Sequence, residues 1–134
     1  MSQVELKYTE GLYGFMDLDV SFKNKDDYLE VIVRGMWSLE DVKEMMSLTR
    51  KKADENDQKR ALVDMRNVGN IKRQMDRIHS ANHAIEVFGN VIKVAFVGQP
   101  HSITKLTEDI AHNRGVNLLI TGDEDEAIRW LLSK

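Results

Sequence analysis

The chain contains no cysteine, and no apolar run approaches the roughly 20 residues that a membrane-spanning helix needs. The lack of cysteine excludes disulfides, thiolate metal sites and cysteine nucleophiles, and it fits a reducing compartment. Residues 1–11 also lack the basic and apolar blocks of a signal peptide. These absences predict a cytoplasmic protein without a membrane span.

Positive charge is not in excess either. The 19 Lys and Arg residues are outnumbered by 22 Asp and Glu, which gives a formal net charge of −3. Nucleic-acid binding needs a concentrated basic surface, so we predict no nucleic-acid partner. The chain has 134 residues, of which 42% are hydrophobic, enough for one domain with its own core. We therefore expect a single domain over residues 1–134.

The sequence motifs of several enzyme classes are missing. There is no G-x-G-x-x-G of a dinucleotide site, no Gly-Lys-Ser/Thr of a P-loop and no G-x-S-x-G nucleophile elbow. A phosphorelay receiver with Asp64 as acceptor would need further acids to hold Mg²⁺, and no acidic pair follows the predicted strand at 29–33. We predict no enzyme activity, no catalytic residue and no cofactor.

Two histidines have the spacing of metal ligands. His79 and His83 are four residues apart on a predicted helix and would share one face. A zinc hydrolase of the H-E-x-x-H type needs Glu directly after the first histidine, where this chain has Ser80. His101 and His112 could extend the set. We expect the pair to lie on a partly exposed helix flank without metal. An enzyme with an unfamiliar site near Asp64, His79 and His83 is the weakest alternative.

Hydrophobic periodicity alternates between the period of strands and that of helices. The predicted strands are 16–22, 28–35, 60–65, 91–97 and 116–121, and residues 1–13 provide an edge strand at 4–8 or an N-terminal extension. The most apolar run, at 91–97, is predicted to be a central strand buried on both faces. The predicted helices run from Leu39 to Ala53, Met75 to Phe88, Ser102 to Gly115, and onward from Asp123. Their predicted N-caps are Ser38, Ser102 and Asp123, and one apolar face of the second helix is formed by Met75, Ile78, Ala81, Ile85 and Phe88. The order ββαβαβαβα predicts an α/β domain with a mainly parallel sheet, an antiparallel N-terminal hairpin and about four helices.

A polar, basic loop follows the strand that is predicted to end around Asp64. It contains Asn67, Lys72 and Arg73, and Arg77 follows in the next helix. Ligands of parallel α/β sheets gather beyond the carboxyl ends of the strands, and a helix N-terminus favours an anion. These five residues are the predicted site for a protein partner or an anion. The alternative is an ordinary solvated loop.

Large apolar residues surround the start of the first helix. Met36 and Trp37 precede it, and Met45 and Met46 lie within it. Methionine-rich surfaces can be adaptable contact sites. A methionine or aromatic stripe at helical spacing is more often core, so we predict packing roles for these residues and for Trp130.

Four segments combine strand and helix patterns with recognisable caps: YLEVIVRGMWSLEDVKEM, RALVDMRNV, VIKVAFVGQ and RGVNLLITGDEDEAIRWLLSK. In these segments the chain resembles a STAS domain, the fold of bacterial anti-sigma-factor antagonists, and especially its SpoIIAA-like branch. The resemblance covers nearly the whole chain from about Gly14 and implies the STAS fold. These patterns reflect packing and capping, so they specify fold better than function.

In that family a kinase partner phosphorylates the serine of an Asp-Ser pair at the start of the second helix. When the strand that contains Asp64 is aligned with the family pattern, the positions of the Asp-Ser pair correspond to Lys72, Arg73 and Gln74. None of these residues has a hydroxyl. Ser80 lies about two turns further along. The resemblance therefore implies a regulatory, non-enzymatic module that binds a protein partner, or itself, without the phosphoserine switch.

The relationship of this branch to lipid-binding CRAL-TRIO proteins implies an alternative function. The chain would then carry a lipid or small hydrophobic ligand in an apolar pocket between helices and sheet. Its predicted lining is Met45, Ile78, Ile85 and Phe88.

Overall fold

The computed structural model describes residues 5–8, 18–69, 74–99 and 117–133. Within these ranges, no helix is both long and apolar enough to span a bilayer. The predicted helix at 102–115 lies outside the described residues. The strands are β1 (Glu5–Tyr8), β2 (Leu18–Asn24), β3 (Leu29–Gly35), β4 (Arg60–Val68), β5 (Lys93–Val97) and β6 (Leu118–Thr121). The helices are α1 (Leu39–Glu55), α2 (Gln74–Phe88) and α3 (Glu124–Leu132).

The six strands form one sheet in their order along the chain. Strands β1, β2 and β3 pair antiparallel, whereas the pairs from β3 to β6 are parallel. The predicted mainly parallel sheet, its antiparallel hairpin and the additional edge strand are confirmed. The complete predicted order with four helices is not confirmed, because residues 100–116, between β5 and β6, are not among the described residues.

Helices cover both faces of the sheet. Helices α1 and α2 share one core with alternate side chains of the strands, and the rings of Phe88 and Phe96 meet there edge-on with centroids 6.2 Å apart. Helix α3 packs on the opposite face, where Ala127 and Leu131 contact the strand residues Leu62 and Ala95. Strand β5 is buried on both faces, as predicted, since successive side chains enter different cores.

A bulge interrupts β4. Ile32 of β3 pairs with Asp64, but the next pairing joins Arg34 to Asn67, so β4 contains one more residue than β3 over this interval. The bulge changes the alternation and returns Val68 to the core beneath α1 and α2. The strand was predicted to end around Asp64; that boundary is wrong, because the ladder resumes after the bulge and continues to Val68.

Both ends of α1 are capped. The hydroxyl of Ser38 accepts the backbone N–H of Asp41 at 3.2 Å, which confirms the predicted N-cap. At the other end the N–H of Gln58 donates to the carbonyl of Ala53 at 2.8 Å, the long hydrogen bond of a Schellman motif. Asp57 lies inside this turn with φ +56°, in the left-handed region that favours glycine.

Two of the predicted buried methionines are exposed. Met36 is 68% exposed and Met75 is 52% exposed, so both predictions are wrong. Met36 directly follows Gly35, whose φ of +126° marks a sharp change of chain direction before α1. Met75 lies in the first turn of α2, whose buried positions begin further along the helix. Among the side chains of α2 that the structure describes, the buried ones are Ala81, Ala84 and Phe88.

The other predicted packing residues are buried or partly buried. Met45 and Met46 are buried, and Trp37 packs against the core beneath α1 and α2. Trp130 packs on the α3 side, with the ammonium of Lys93 4.6 Å from its ring centroid. The same ammonium donates to the carbonyl of Trp130 at 2.6 Å. This carbonyl is near the C-terminal end of α3, where carbonyls lack a partner within the helix and a positive charge is favourable.

The Schellman turn predicts a stabilising substitution. Asp57→Gly removes the Cβ that disfavours positive φ, so we expect the free energy of unfolding to rise by about 0.5–1 kcal/mol. Lys51→Gly, at an exposed position inside α1, is the matched control and should lower it by about 1 kcal/mol. Urea unfolding measures both. Destabilisation by Asp57→Gly comparable to that of the control would contradict the assigned turn.

Candidate functional site

Asp64 is paired with a residue of its own strand. Its Oδ1 accepts the backbone N–H of Arg66 at 3.1 Å and the side-chain Nε at 2.9 Å, and its Oδ2 accepts Nη2 at 2.8 Å. Both carboxylate oxygens are therefore engaged by one residue. The backbone bond satisfies an N–H at the bulge, so Asp64 has a clear structural role.

This pairing changes the acidity of Asp64. Burial alone would raise its pKa, but the hydrogen bonds from the Arg66 side chain and backbone, with the charges of Arg66 and Arg34, outweigh burial. The pKa therefore lies below its ordinary value of 3.8. In return, the Asp64 carboxylate raises the pKa of Arg66. An ionised carboxylate held by a guanidinium fork is suited to positioning and not to proton transfer.

Arg66 also connects β4 to two neighbouring elements. Its guanidinium lies 3.5 Å from a carboxylate oxygen of Glu124, in the first turn of α3. Its backbone carbonyl accepts the Nε2 of Gln99, just beyond β5, at 2.8 Å. These contacts lie where the parallel strands end. We call the carboxyl ends of β3 to β6, with the residues directly after them and the first turns of α2, the carboxyl edge.

Of the other four residues of the predicted partner or anion site, the structure describes two. Asn67 is exposed on β4, and Arg77 is half-buried on α2. Lys72 and Arg73 lie outside the described residues. The structure therefore places Asp64 and Asn67 on one strand and Arg77 on the following helix, with Asp64 paired internally. Whether the set binds an anion stays a prediction.

A partly open pocket of about 130 Å³ lies at the carboxyl edge, between the sheet and the helices α1 and α2. Its lining is mainly apolar, and Arg77 is the one charged side chain among the described lining residues. A hydrophobic cavity with a few polar groups is the usual form of a small-molecule site. The described lining residues are Trp37, Val42, Met46, Met65, Val68, Gly69, Arg77, Ser80, Ala81, Ala84, Phe96, Val97, Gly98, Gln99, Leu118 and Ile120.

The space of the pocket exists because several residues around it are small. Helix α2 presents Ser80, Ala81 and Ala84 toward the pocket, and Gly69 and Gly98 contribute no side chain. Larger residues at these positions would fill the gap between the helix and the strands. Sequence reasoning did not identify the residues that line this pocket. The run of small residues on one face of α2 was the signal that could have indicated it.

Three of the four residues predicted to line an apolar pocket are adjacent in sequence to residues that do line it. Met45 and Phe88 are buried in the core, and Ile78 and Ile85 are half-buried on α2. None of the four is among the described lining residues. Residues at adjacent helix positions line the pocket instead, because a shift of one residue turns a helical side chain by about a quarter of a turn.

The two predicted flank histidines lie on α2 as expected. His79 is exposed and His83 is half-buried. The Nε2 of His83 is buried and has no hydrogen-bond partner among the described residues. No group of three His, Asp or Glu residues within the described ranges is arranged to hold a metal ion. His101 and His112 fall outside those ranges.

Comparison with known proteins identifies relatives of this fold. The SpoIIAA-like family model matches residues 28–132. An anti-sigma factor antagonist from Mycobacterium paratuberculosis superposes with a TM-score of 0.59 at 11% identity, covering 87% of this chain and 95% of that chain. This likeness shows a shared fold, and with the family match it confirms the STAS-like, SpoIIAA-like resemblance.

A second solved structure is more distant in shape. It is an uncharacterized protein from the DUF3478 family of Shewanella loihica PV-4, with a SpoIIAA-like fold. It is 20% identical, with a TM-score of 0.47, and the match covers 87% of this chain and 95% of that chain. No curated protein matches the chain.

The Asp64 pair predicts a pH-dependent contribution to stability. Because its folded pKa is lowered, Asp64 stabilises the fold above its ordinary pKa, and this contribution is lost as the pH falls through the folded value. We expect Asp64→Asn to lower the free energy of unfolding by about 1 kcal/mol at pH 7, and by less near pH 2. The magnitude is modest because Arg66 is 40% exposed and water screens the pair.

Urea unfolding of both proteins at the two pH values measures the effect. Asp19→Asn, at an exposed position on β2, is the control and should have little effect at either pH. An equal loss from Asp64→Asn at both pH values would show that the negative charge is not the stabilising feature.

Proposed function

We propose that this chain, which belongs to the SpoIIAA-like family, is a non-enzymatic regulatory module that binds a protein partner in the bacterial cytoplasm. The family match over residues 28–132 carries this proposal. The shared fold with a protein named as an anti-sigma factor antagonist supports it, since such an antagonist acts on another protein. Fold alone does not identify the partner.

We place the partner surface at the carboxyl edge, around the start of α2. Met36 and Met75 are exposed there, after β3 and in the first turn of α2 respectively, and Asn67 is exposed on β4. Flexible methionines suit a contact surface that adapts to a partner. Lys72 and Arg73 belong to the same stretch of sequence and would add positive charge.

The proposed interaction does not depend on phosphorylation. Lys72, Arg73 and Gln74 occupy the positions that the family resemblance assigns to the Asp-Ser pair. Ser80 is a poor substitute, because it lies further along α2, is half-buried and donates its hydroxyl to the carbonyl of Arg77 at 2.9 Å. Positive charge at the start of α2 would be permanent, which favours an acidic surface on the partner.

A second candidate function is the binding of a small molecule. The pocket of about 130 Å³ at the carboxyl edge supports it. This function would use side chains beneath α2, whereas the protein partner would use the exposed surface. The two functions are therefore separable by mutation.

Charge reversal tests the partner surface. We expect Lys72→Glu with Arg73→Glu to reduce capture of a specific protein from native lysate by about tenfold, because opposite charges at an interface become like charges. The control is Lys51→Glu with Lys59→Glu, which reverses two exposed lysines elsewhere. Quantitative mass spectrometry of the captured proteins measures both. Equal capture by the two double variants would contradict the proposed surface.

The exposed methionine gives an independent test. We expect Met75→Asp to weaken capture of the same protein by about tenfold, since a charge would enter an apolar contact. Val91→Asp is the matched control, because Val91 is 49% exposed and precedes β5 at the opposite edge of the sheet. Loss of capture in both variants, or in neither, would argue against a partner at the carboxyl edge.

A further inference from the structure

We infer that the pocket at the carboxyl edge binds an uncharged, compact apolar molecule with the bulk of about one ring. The inference rests on the second candidate function and names its ligand class. It depends on the volume of the cavity, on its apolar walls, and on the partners that the polar groups around it already have within the protein. It is independent of the protein partner.

The volume of the cavity limits the size of the ligand. An apolar cavity of about 150 Å³ accommodates benzene, so the pocket of about 130 Å³ suits a molecule of about one ring. A long-chain lipid is several times larger and would leave most of its chain in water. The size of the pocket therefore favours a small molecule over a lipid.

The walls of the pocket suit an aromatic or branched apolar body. Trp37 and Phe96 contribute rings, Met65 contributes a polarizable thioether, and Leu118 and Ile120 form an apolar wall on β6. Aromatic rings pack well against other rings and against methionine sulfur. Burying such a body in this pocket removes apolar surface from water, which is the main source of affinity.

Three polar side chains of the described lining are already engaged within the protein. Arg77 has an interaction with another group of the chain. Ser80 donates its hydroxyl to the carbonyl of Arg77 at 2.9 Å, and Gln99 donates its amide to the carbonyl of Arg66 at 2.8 Å. A charged group of a ligand would lose its hydration here without gaining an unoccupied partner from these side chains.

The backbone donors at the two glycines of the described lining are engaged as well. The N–H of Gly69 donates to the carbonyl of Gly35 at 2.9 Å, and the N–H of Gly98 donates to the carbonyl of Thr121 at 3.0 Å. Backbone N–H groups that point at a ligand are a common means of binding an anion. These two donors instead prolong the pairing of β3 with β4 and of β5 with β6, so the pocket favours an uncharged molecule.

Toluene is the probe that tests the ligand class. Titration of the purified chain, followed by the NMR chemical shifts of backbone amides, should show saturable one-to-one binding with a dissociation constant of about 0.1–1 mM, as expected for a ligand with few atoms. Benzoate and benzylammonium keep the ring and add a negative or a positive charge, so we expect both to bind about tenfold more weakly. Palmitate should show no one-to-one binding of comparable affinity.

The amides that respond to toluene locate the ligand. Toluene should shift the amides of Val68, Ala84 and Gly98, which line the pocket. The amides of Ala127 and Leu131, which lie in the core on the opposite face of the sheet, should not shift. The reverse pattern would place the ligand under α3 and contradict the inference.

A cavity-filling variant tests the location independently. Ala81→Leu adds apolar bulk at a lining position and should abolish toluene binding. The control is Glu86→Leu, which places the same side chain at an exposed position of α2 outside the described lining and should not change the affinity. If Ala81→Leu fails to fold, as judged by circular dichroism, the amide shifts of the unmodified chain still decide the location.

Three further results would overturn the inference: no saturation with toluene up to about 3 mM, binding of benzoate or benzylammonium as tight as that of toluene, or unchanged toluene affinity in Ala81→Leu. Binding of palmitate or of a charged analogue without binding of toluene would keep the second candidate function and exclude this ligand class. Binding of none of the probes would count against both. Protein capture is measured separately, so its outcome does not depend on these results.

Discussion

The organisation of the carboxyl edge depends on the hydrogen-bonded pair of Asp64 and Arg66 at the bulge in β4. The Asp64 carboxylate accepts the Arg66 backbone N–H and both donors of the guanidinium fork, which stabilises the extra residue in the strand. Beyond the bulge, Val68 lies beneath the α1/α2 layer and lines the pocket. Through Gln99 and Glu124, Arg66 also holds β5 and α3 in register with β4. A carboxylate engaged in this way positions neighbouring elements and is not free to act on a ligand.

The pocket and the proposed partner surface occupy the same edge but use different chemistry. Small side chains of α2 leave a gap above the sheet, which gives the cavity its volume and its apolar walls. The exposed methionines lie on the outer surface, where they add apolar area without enclosing a ligand. Arg77 is the feature closest to both functions, since it lies on α2 and lines the cavity. Gathering ligands at the carboxyl ends of parallel strands is the general behaviour of α/β sheets.

Periodicity and capping predicted much of the fold. The alternation in β2 and β3, the buried run of β5 and the caps at Ser38 and Asp123 all depend on local sequence, and the structure contains each of them. The bulge was not predictable, because an extra residue in one strand becomes visible only when its partner strand is known. The exposure of Met36 and Met75 was missed because hydrophobicity alone does not identify which side of a turn a residue occupies. The lining of the pocket was not predicted, because the space arises where small residues on α2 leave a gap, whereas the predicted lining used the larger neighbours Ile78 and Ile85.

Hydrogen exchange tests most directly whether recognition occurs at the carboxyl edge. Exchange of backbone amides, followed by mass spectrometry, would be compared for the free chain and for its complex with the captured protein. The account predicts protection concentrated in peptides covering 66–69, 75–81 and 96–99. Protection concentrated instead in 56–60 and 89–93, at the opposite edge, or along β1 and β2, would contradict it.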